Sequence, residues 1–191
     1  IDGLRFVTVT SPNDDLLSKY KFQPKFNLPN HFYSIGPGVR SQLGGPDGFF
    51  LGQLLLRLDS EILLKRNLNI QSIIQAGIYD TFDDLKLASD SVLPHVRTEI
   101  VNYLKGGRKN NITRLQANYF YKLREDQFIK LSAGIFEEMF GGVGFEYLYR
   151  PFNSHYAIGL DAYHARQRSY RQLLDFQEYK TVTGHMTLYL T

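Results

Sequence analysis

From position 31 onward the chain alternates apolar and polar residues with a period of two, and turn-forming residues cut this alternation into segments. In residues 50–65, Phe50, Gly52, Leu54, Leu56, Leu58, Ser60, Ile62 and Leu64 share one parity. The other parity holds Gln53, Arg57, Asp59, Glu61 and Lys65 together with Leu51, Leu55 and Leu63, so every charge falls on one side. A helix does not sort charges by parity, whereas a strand does. The division recurs with Leu68, Ile70, Ser72, Ile74, Ala76 and Ile78 against Asn69, Gln71, Ile73, Gln75, Gly77 and Tyr79. Leu115, Ala117, Tyr119, Tyr121 and Leu123 then oppose Arg114, Gln116, Asn118 and Lys122, whose face also takes Ile112 and Phe120. Ile129, Leu131, Ala133 and Ile135 oppose Lys130, Ser132 and Gly134; Val143, Phe145, Tyr147 and Tyr149 oppose Gly144, Glu146 and Arg150. Ile158, Leu160 and Ala162 oppose Gly159, Asp161 and Tyr163, and Val182, Met186, Leu188 and Leu190 oppose Thr181, Thr183, His185 and Thr187.

Between these segments lie GGPDG at 44–48, RN at 66–67, GGRKN at 106–110, RED at 124–126, GG at 141–142 and PFNS at 151–154. These have hairpin lengths and hairpin residues, so Gly44, Gly45, Gly48, Gly106, Gly107, Gly141 and Gly142 are expected to hold turn conformations. Two connections are long, 80–95 and 167–177, and they lie toward opposite ends of the meander. The pattern predicts an all-β chain, an antiparallel meander of about nine or ten long strands. Residues 31–191 form its domain, and residues 1–30, partly irregular with a strand-like stretch at 4–10, read as a connector. No βαβ signal is present, and Gly141, Gly142 and Gly144 precede a strand rather than the helix that a phosphate loop requires.

Alternation alone leaves open whether the apolar face meets lipid or a protein core. Several segments reach the roughly 9 to 11 residues that cross a bilayer on a tilt. Tyrosines gather toward strand ends, as in an interfacial girdle, and the polar face mixes signs as a barrel interior can. These features predict a transmembrane β-barrel or part of one. Leu54, Leu56, Ile74, Leu115, Leu131, Phe145 and Leu160 would then face lipid. Arg57, Asp59, Glu61, Arg97, Glu99, Arg114, Lys130, Glu146, Arg150 and Asp161 would face the lumen. The alternative is a soluble β-sandwich or lipocalin-like carbohydrate-binding barrel with the same apolar set turned inward.

Composition narrows the field without choosing between these. The 191 residues contain 13 Tyr, 14 Phe and 16 Gly but no Trp and no Cys, which excludes disulfides, thiolate metal sites and cysteine nucleophiles. The 22 Lys and Arg against 19 Asp and Glu give a charge of +3, too balanced for a continuous phosphate track, so no nucleic-acid partner is expected. Arg166, Arg168 and Arg171 around Tyr170 make one compact basic aromatic patch, read as a solvated loop or as a contact for lipid head groups or acidic polysaccharide. Glu137 and Glu138 are adjacent, so on a strand they would point to opposite faces and could not flank one glycosidic bond. Asp80, Asp83 and Asp84 lack the ligand spacing of a calcium loop. The histidines, His31, His95, His155, His164 and His185, stand beside no motif that supplies a nucleophilic serine. No catalytic residue, cofactor or metal is therefore expected.

The motifs LGGPDGF at 43–49, LPHVRTEI at 93–100, EEMFGGVG at 137–144, EYLYRPF at 146–152, RQR at 166–168 and TGH at 183–185 occur in one order. In that order they resemble the YjbH-like outer-membrane proteins of exopolysaccharide and capsule loci, over residues 33–189, while residues 1–30 match poorly. Members of that family are much longer, which implies an internal segment of a larger outer-membrane lipoprotein or barrel protein of a Gram-negative bacterium. The resemblance implies a non-enzymatic role in polysaccharide assembly or export, with outer-membrane lipid, polysaccharide and other proteins of the export system as partners. An outer-membrane hydrolase is the remaining alternative.

Overall fold

A computed structural model describes residues 28–45, 48–84 and 99–190. Among them eight strands form one antiparallel sheet in sequence order: β1 (Asn30–Gly45), β2 (Gly48–Lys65), β3 (Leu68–Asp80), β4 (Asn110–Arg124), β5 (Gln127–Ile135), β6 (Phe140–Tyr149), β7 (Tyr156–Arg168) and β8 (Phe176–Leu190). Nine or ten strands are expected and eight occur among the described residues; the strand-like stretch at 4–10 lies outside them, as does nearly all of the connector. β1 and β8 are the edges, and among the described residues no pairing joins them, so the sheet is open. No helix among the described residues is long and apolar enough to cross a membrane.

Parity sorts the faces as the pattern requires. Val39 and Leu54 stand in register on one face, as do Leu58 and Ile74, and further along Leu115 pairs Ile135, Leu131 pairs Phe145, and Leu160 pairs Met186. Tyr79 departs from its expected parity, because a register shift between Leu54 and Leu55 sets it opposite Leu54 on the apolar face. Leu54, Leu56, Ile74, Leu115, Leu131, Phe145 and Leu160 are all exposed on that face. Gln53, Asn69, Gln75, Gln116, Asn118 and Ser132, on the other face, are buried. Gln71 of β3 and His185 of β8 line one cavity, so the sheet curls with its polar face inward. A register shift between Ile73 and Ile74 corrects one placement: Arg114 pairs Ile73 but Ile112 pairs Ile74, so Ile112 joins the apolar face rather than the polar one. A bulge inserts an extra residue, here Thr113, and flips the parity beyond it.

All connections that follow odd-numbered strands lie at one end of an antiparallel meander, so 80–95 and 167–177 do not fall at opposite ends. Both leave from the same edge of the sheet, after β3 and β7. The other end carries the short turns after β2, β4 and β6, and Tyr33, Tyr119, Tyr121, Tyr147, Tyr149 and Tyr156 gather on the apolar face near it. The long-connection end is capped by a 3₁₀ turn (Phe82–Asp84) and a helix that the alternation did not reveal, α1 (Ile100–Gly106). Phe82, Leu104 and Leu51 pack there with Ile100 and Val101, a small conventional core.

Two glycine assignments change. Gly141 and Gly142 lie within β6 rather than in a turn, and a Cβ on Gly142 would overlap the His164 carbonyl oxygen of β7. Gly106 and Gly107 close α1, where a Cβ would strike the Tyr170 carbonyl or the Gln172 amide. At Gly106 and Gly142 a close backbone, and at Gly107 the buried Gln172 side chain, takes the space that a Cβ would need. Gly45 pairs Gly48 across the β1–β2 connection, with Gly44 inside β1.

Candidate functional site

Cross-strand register builds the concave face. Lys130, Glu146, Asp161 and His185 stand directly opposite one another on β5, β6, β7 and β8. Lys130 Nζ donates to Glu146 Oε1 at 2.8 Å, the Tyr163 hydroxyl donates to the same oxygen, and His185 Nδ1 lies 2.9 Å from Asp161 Oδ2. One row further along, Asn118 Oδ1 accepts from Ser132 Oγ at 2.9 Å and from Gln116 Nε2 at 2.5 Å. Gly144 completes this row: its missing side chain leaves the space that the Tyr163 ring occupies. On β2, Arg57 grips Asp59 in a fork at 2.7 and 2.8 Å, and Asn69 Nδ2 donates to Glu61 at 2.5 Å. Paired in this way, groups of both signs can line an interior at modest desolvation cost.

A cavity of about 680 Å³ opens between these rows. Its wall takes Gln71, Arg114, Gln116, Lys130, Glu137, Tyr163, Thr181, Thr183 and His185, with Phe136, Phe140 and Tyr179 as aromatic surfaces. Phe136 meets Tyr163 edge to face at 5.4 Å, and Phe140 meets Tyr179 at 6.5 Å. A second cavity, about 370 Å³, lies between β1 and β4, and Arg114 lines both.

The long-connection end is closed around Arg168, which is fully buried. Its Nη1 donates to the carbonyls of Ile112 and Glu137, both at 2.8 Å, and of Glu138 at 3.3 Å, and Nη2 donates to Leu173 at 2.7 Å. The Tyr103 hydroxyl donates to the Arg168 carbonyl at 2.6 Å, and Gln172 Nε2 donates to the Tyr103 carbonyl at 2.5 Å. Burial pushes the Tyr103 phenol up to about 12. One guanidinium thus ties four chain segments together, and sequence reasoning missed it by grouping Arg168 with solvated neighbours. The expected basic patch is dispersed: Arg166 lies on the outward face over the Phe176 ring, Arg168 is interior, and Arg171 pairs Asp175 in an exposed loop.

The expected lumen set divides likewise. Arg57, Asp59, Glu61, Arg114, Lys130, Glu146 and Asp161 stand on the concave face. Glu99 does not: it precedes α1 and accepts from Gln167 Nε2 at 2.7 Å. Arg150 follows the end of β6 at the tight-turn side and is exposed there, while Arg97 lies outside the described residues. Glu137 and Glu138 sit in a bend rather than a strand, and Glu138 pairs Arg40. Asp80 and Asp83 share Arg108, and no metal-binding cluster occurs among the described residues. The structure also brings a serine to a histidine that sequence spacing kept apart. His31 Nε2 lies 2.7 Å from Ser60 Oγ on the outward face, with the Tyr33 ring beside the imidazole. No carboxylate or amide orients that histidine among the described residues, so the pair falls short of a triad.

The fold and its concave face define a class: an antiparallel β-meander curled around a hydrogen-bonded polar interior, with its apolar side chains outward. The chain belongs to the YjbH family, whose model, described as "Exopolysaccharide biosynthesis protein YbjH", matches residues 7–191. That match takes in most of the stretch that the motifs left out. The chain is 36% identical over 165 residues to "Uncharacterized lipoprotein YjbH" of Escherichia coli (strain K12). The aligned part is 83% of this chain but 23% of that relative, so the chain spans about a quarter of the relative's length. No solved structure matches it significantly.

Proposed function

We propose that the chain forms part of a membrane-embedded β-barrel in the outer membrane of a Gram-negative bacterium. Lipid covers its outward apolar face, and its polar interior helps an exopolysaccharide, such as a capsule, to assemble or leave the cell. The inversion of the sheet carries this reading: large apolar side chains such as Val39, Val143, Met186 and Leu188 are exposed while Gln53, Asn118 and Ser132 are buried. A soluble β-sandwich or lipocalin-like domain has the opposite arrangement, and an aqueous monomer rarely shows an apolar face of this extent. The tyrosines near the tight-turn end and the longer connections at the other match the girdle and the loop asymmetry of such barrels. The relative's description as a lipoprotein of E. coli supports attachment to a membrane. Mixed, mutually paired interior charges suit a passage that touches sugar hydroxyls weakly at many points without trapping the polymer.

The role is structural and non-enzymatic, with polysaccharide and further proteins of the export system as partners. Deleting the protein is expected to change the amount or location of surface polysaccharide, measured by staining and by fractionation of cell-bound and released polymer. Unchanged amount and location would refute the export role. The Ser60–His31 contact favours a hydrolase as the second reading. Purified protein should leave the native polymer and membrane phospholipid intact by size analysis and thin-layer chromatography, and cleavage that Ser60→Ala abolishes would establish the rival.

A further inference from the structure

Each carboxylate that lines the two concave cavities already has a partner. Asp59 is held by Arg57 and Glu61 by Asn69, and Glu137 is partnered as well; of the basic groups in the larger cavity, Lys130 is held by Glu146 and His185 lies against Asp161. Arg114 is the exception of opposite sign. Its Nε donates to the Phe136 carbonyl at 3.3 Å, and among the described residues no salt bridge reaches its guanidinium. It pairs Ile73 across the sheet, and the side chains it meets next in register, Gln71 and Gln116, are neutral amides. This partly buried cation lines both cavities and so stands where they meet. Around it the larger cavity offers two aromatic pairs and the hydroxyls of Thr181 and Thr183. Aromatic faces suit the C–H side of a pyranose ring, hydroxyls and amides suit its O–H groups, and a fork-shaped guanidinium suits a planar carboxylate.

The geometry points to a subsite for an acidic sugar unit, a uronate, whose carboxylate pairs Arg114 while its ring rests against the aromatic wall. This rests on the reading that the interior receives polysaccharide and names the chemistry it selects. At about 680 Å³ the cavity falls within the roughly 300–1,000 Å³ of ordinary ligand sites. A neutral sugar would leave the guanidinium without a counter-charge, so the site discriminates by charge as well as by shape.

Calorimetric titration of the native protein in detergent tests this with a glucuronate-containing oligosaccharide, a neutral oligosaccharide of equal length, and acetate. The uronate oligomer is expected to bind about tenfold more tightly than the neutral one, the size of one charge-assisted contact. Arg114→Gln should erase that preference without changing neutral binding, and Arg114→Lys should keep part of it. The wild-type preference should also shrink as salt is raised, a readout that needs no variant. Equal binding of both oligomers, or a preference that survives Arg114→Gln, overturns the subsite while leaving the polysaccharide reading intact. Acetate competing at the oligomer's own concentration would reduce the site to an anion site and likewise overturn it. If neither oligomer binds, the polysaccharide reading fails together with the subsite.

Discussion

The capped end and the body of the sheet follow opposite rules. Under α1, Phe82, Tyr103 and Leu104 are buried, as in any water-soluble core, and the polar atoms among them are tied to backbone. In the sheet body, Leu56, Leu131 and Leu160 are exposed and Gln116, Asn118 and Ser132 are enclosed. One chain therefore holds a small core stabilised by apolar burial and a much larger region with its apolar side chains outward and its amides inward. The cap draws its stability from its own apolar packing, and the body from its ladder of hydrogen-bonded strands.

Substitutions at the two regions should separate these sources. The largest effect is expected at Arg168, where removing a buried guanidinium leaves four carbonyls without their donor. Arg168→Met should cost about 3–5 kcal/mol, measured by denaturant unfolding of the detergent-folded protein. Leu131→Arg on the outward face should cost about 2–4 kcal/mol in a bilayer, falling toward the membrane interfaces, and should be nearly neutral if water bathes that face. Gly142→Ala, which forces a Cβ against the His164 carbonyl, should lower folding yield by a stability loss of about 1–3 kcal/mol. It should leave the interior's ligand preference unchanged, and a normal yield with altered preference would contradict its structural role.

The smallest effect belongs to Tyr103, whose hydroxyl contributes about 1 kcal/mol through its bond to the Arg168 carbonyl. Burial raises this phenol to about 12, above an unfolded value near 10. Between those values the folded state keeps a proton that the unfolded state has lost, so stability is complete below about pH 10 and declines toward pH 12. Tyr103→Phe should remove that portion of the alkaline decline, followed by unfolding midpoints across the range.

The sheet body was the more legible region because its period of two repeats over strands of up to 18 residues, as in β2. Arg57 and Leu56 could be assigned to faces from parity alone. Parity failed where bulges intervene, at Ile112 and again between Arg166 and Arg168, because one extra residue reverses every position beyond it. The cap was hidden for a different reason. α1 has seven residues, IVNYLKG, too few for a helical period to stand out and opening on two β-branched residues that favour strands. Arg168 was illegible because nothing in RQR distinguishes a guanidinium bound by carbonyls from one bound by water. The His31–Ser60 contact was equally hidden, since it depends on the register of β1 against β2.

Whether lipid covers the outward face decides the account most directly, and cysteine scanning in a chain that has no native cysteine measures it cleanly. Single cysteines at Leu56, Leu131 and Leu160, compared with Thr183 and His185 on the concave face, would be treated in intact membranes with a water-soluble maleimide and with a lipid-soluble one. The account predicts that the three outward positions react with the lipid-soluble reagent and resist the water-soluble one, while Thr183 and His185 show the reverse. Ready water-soluble labelling of Leu56, Leu131 and Leu160 in the folded protein would contradict it.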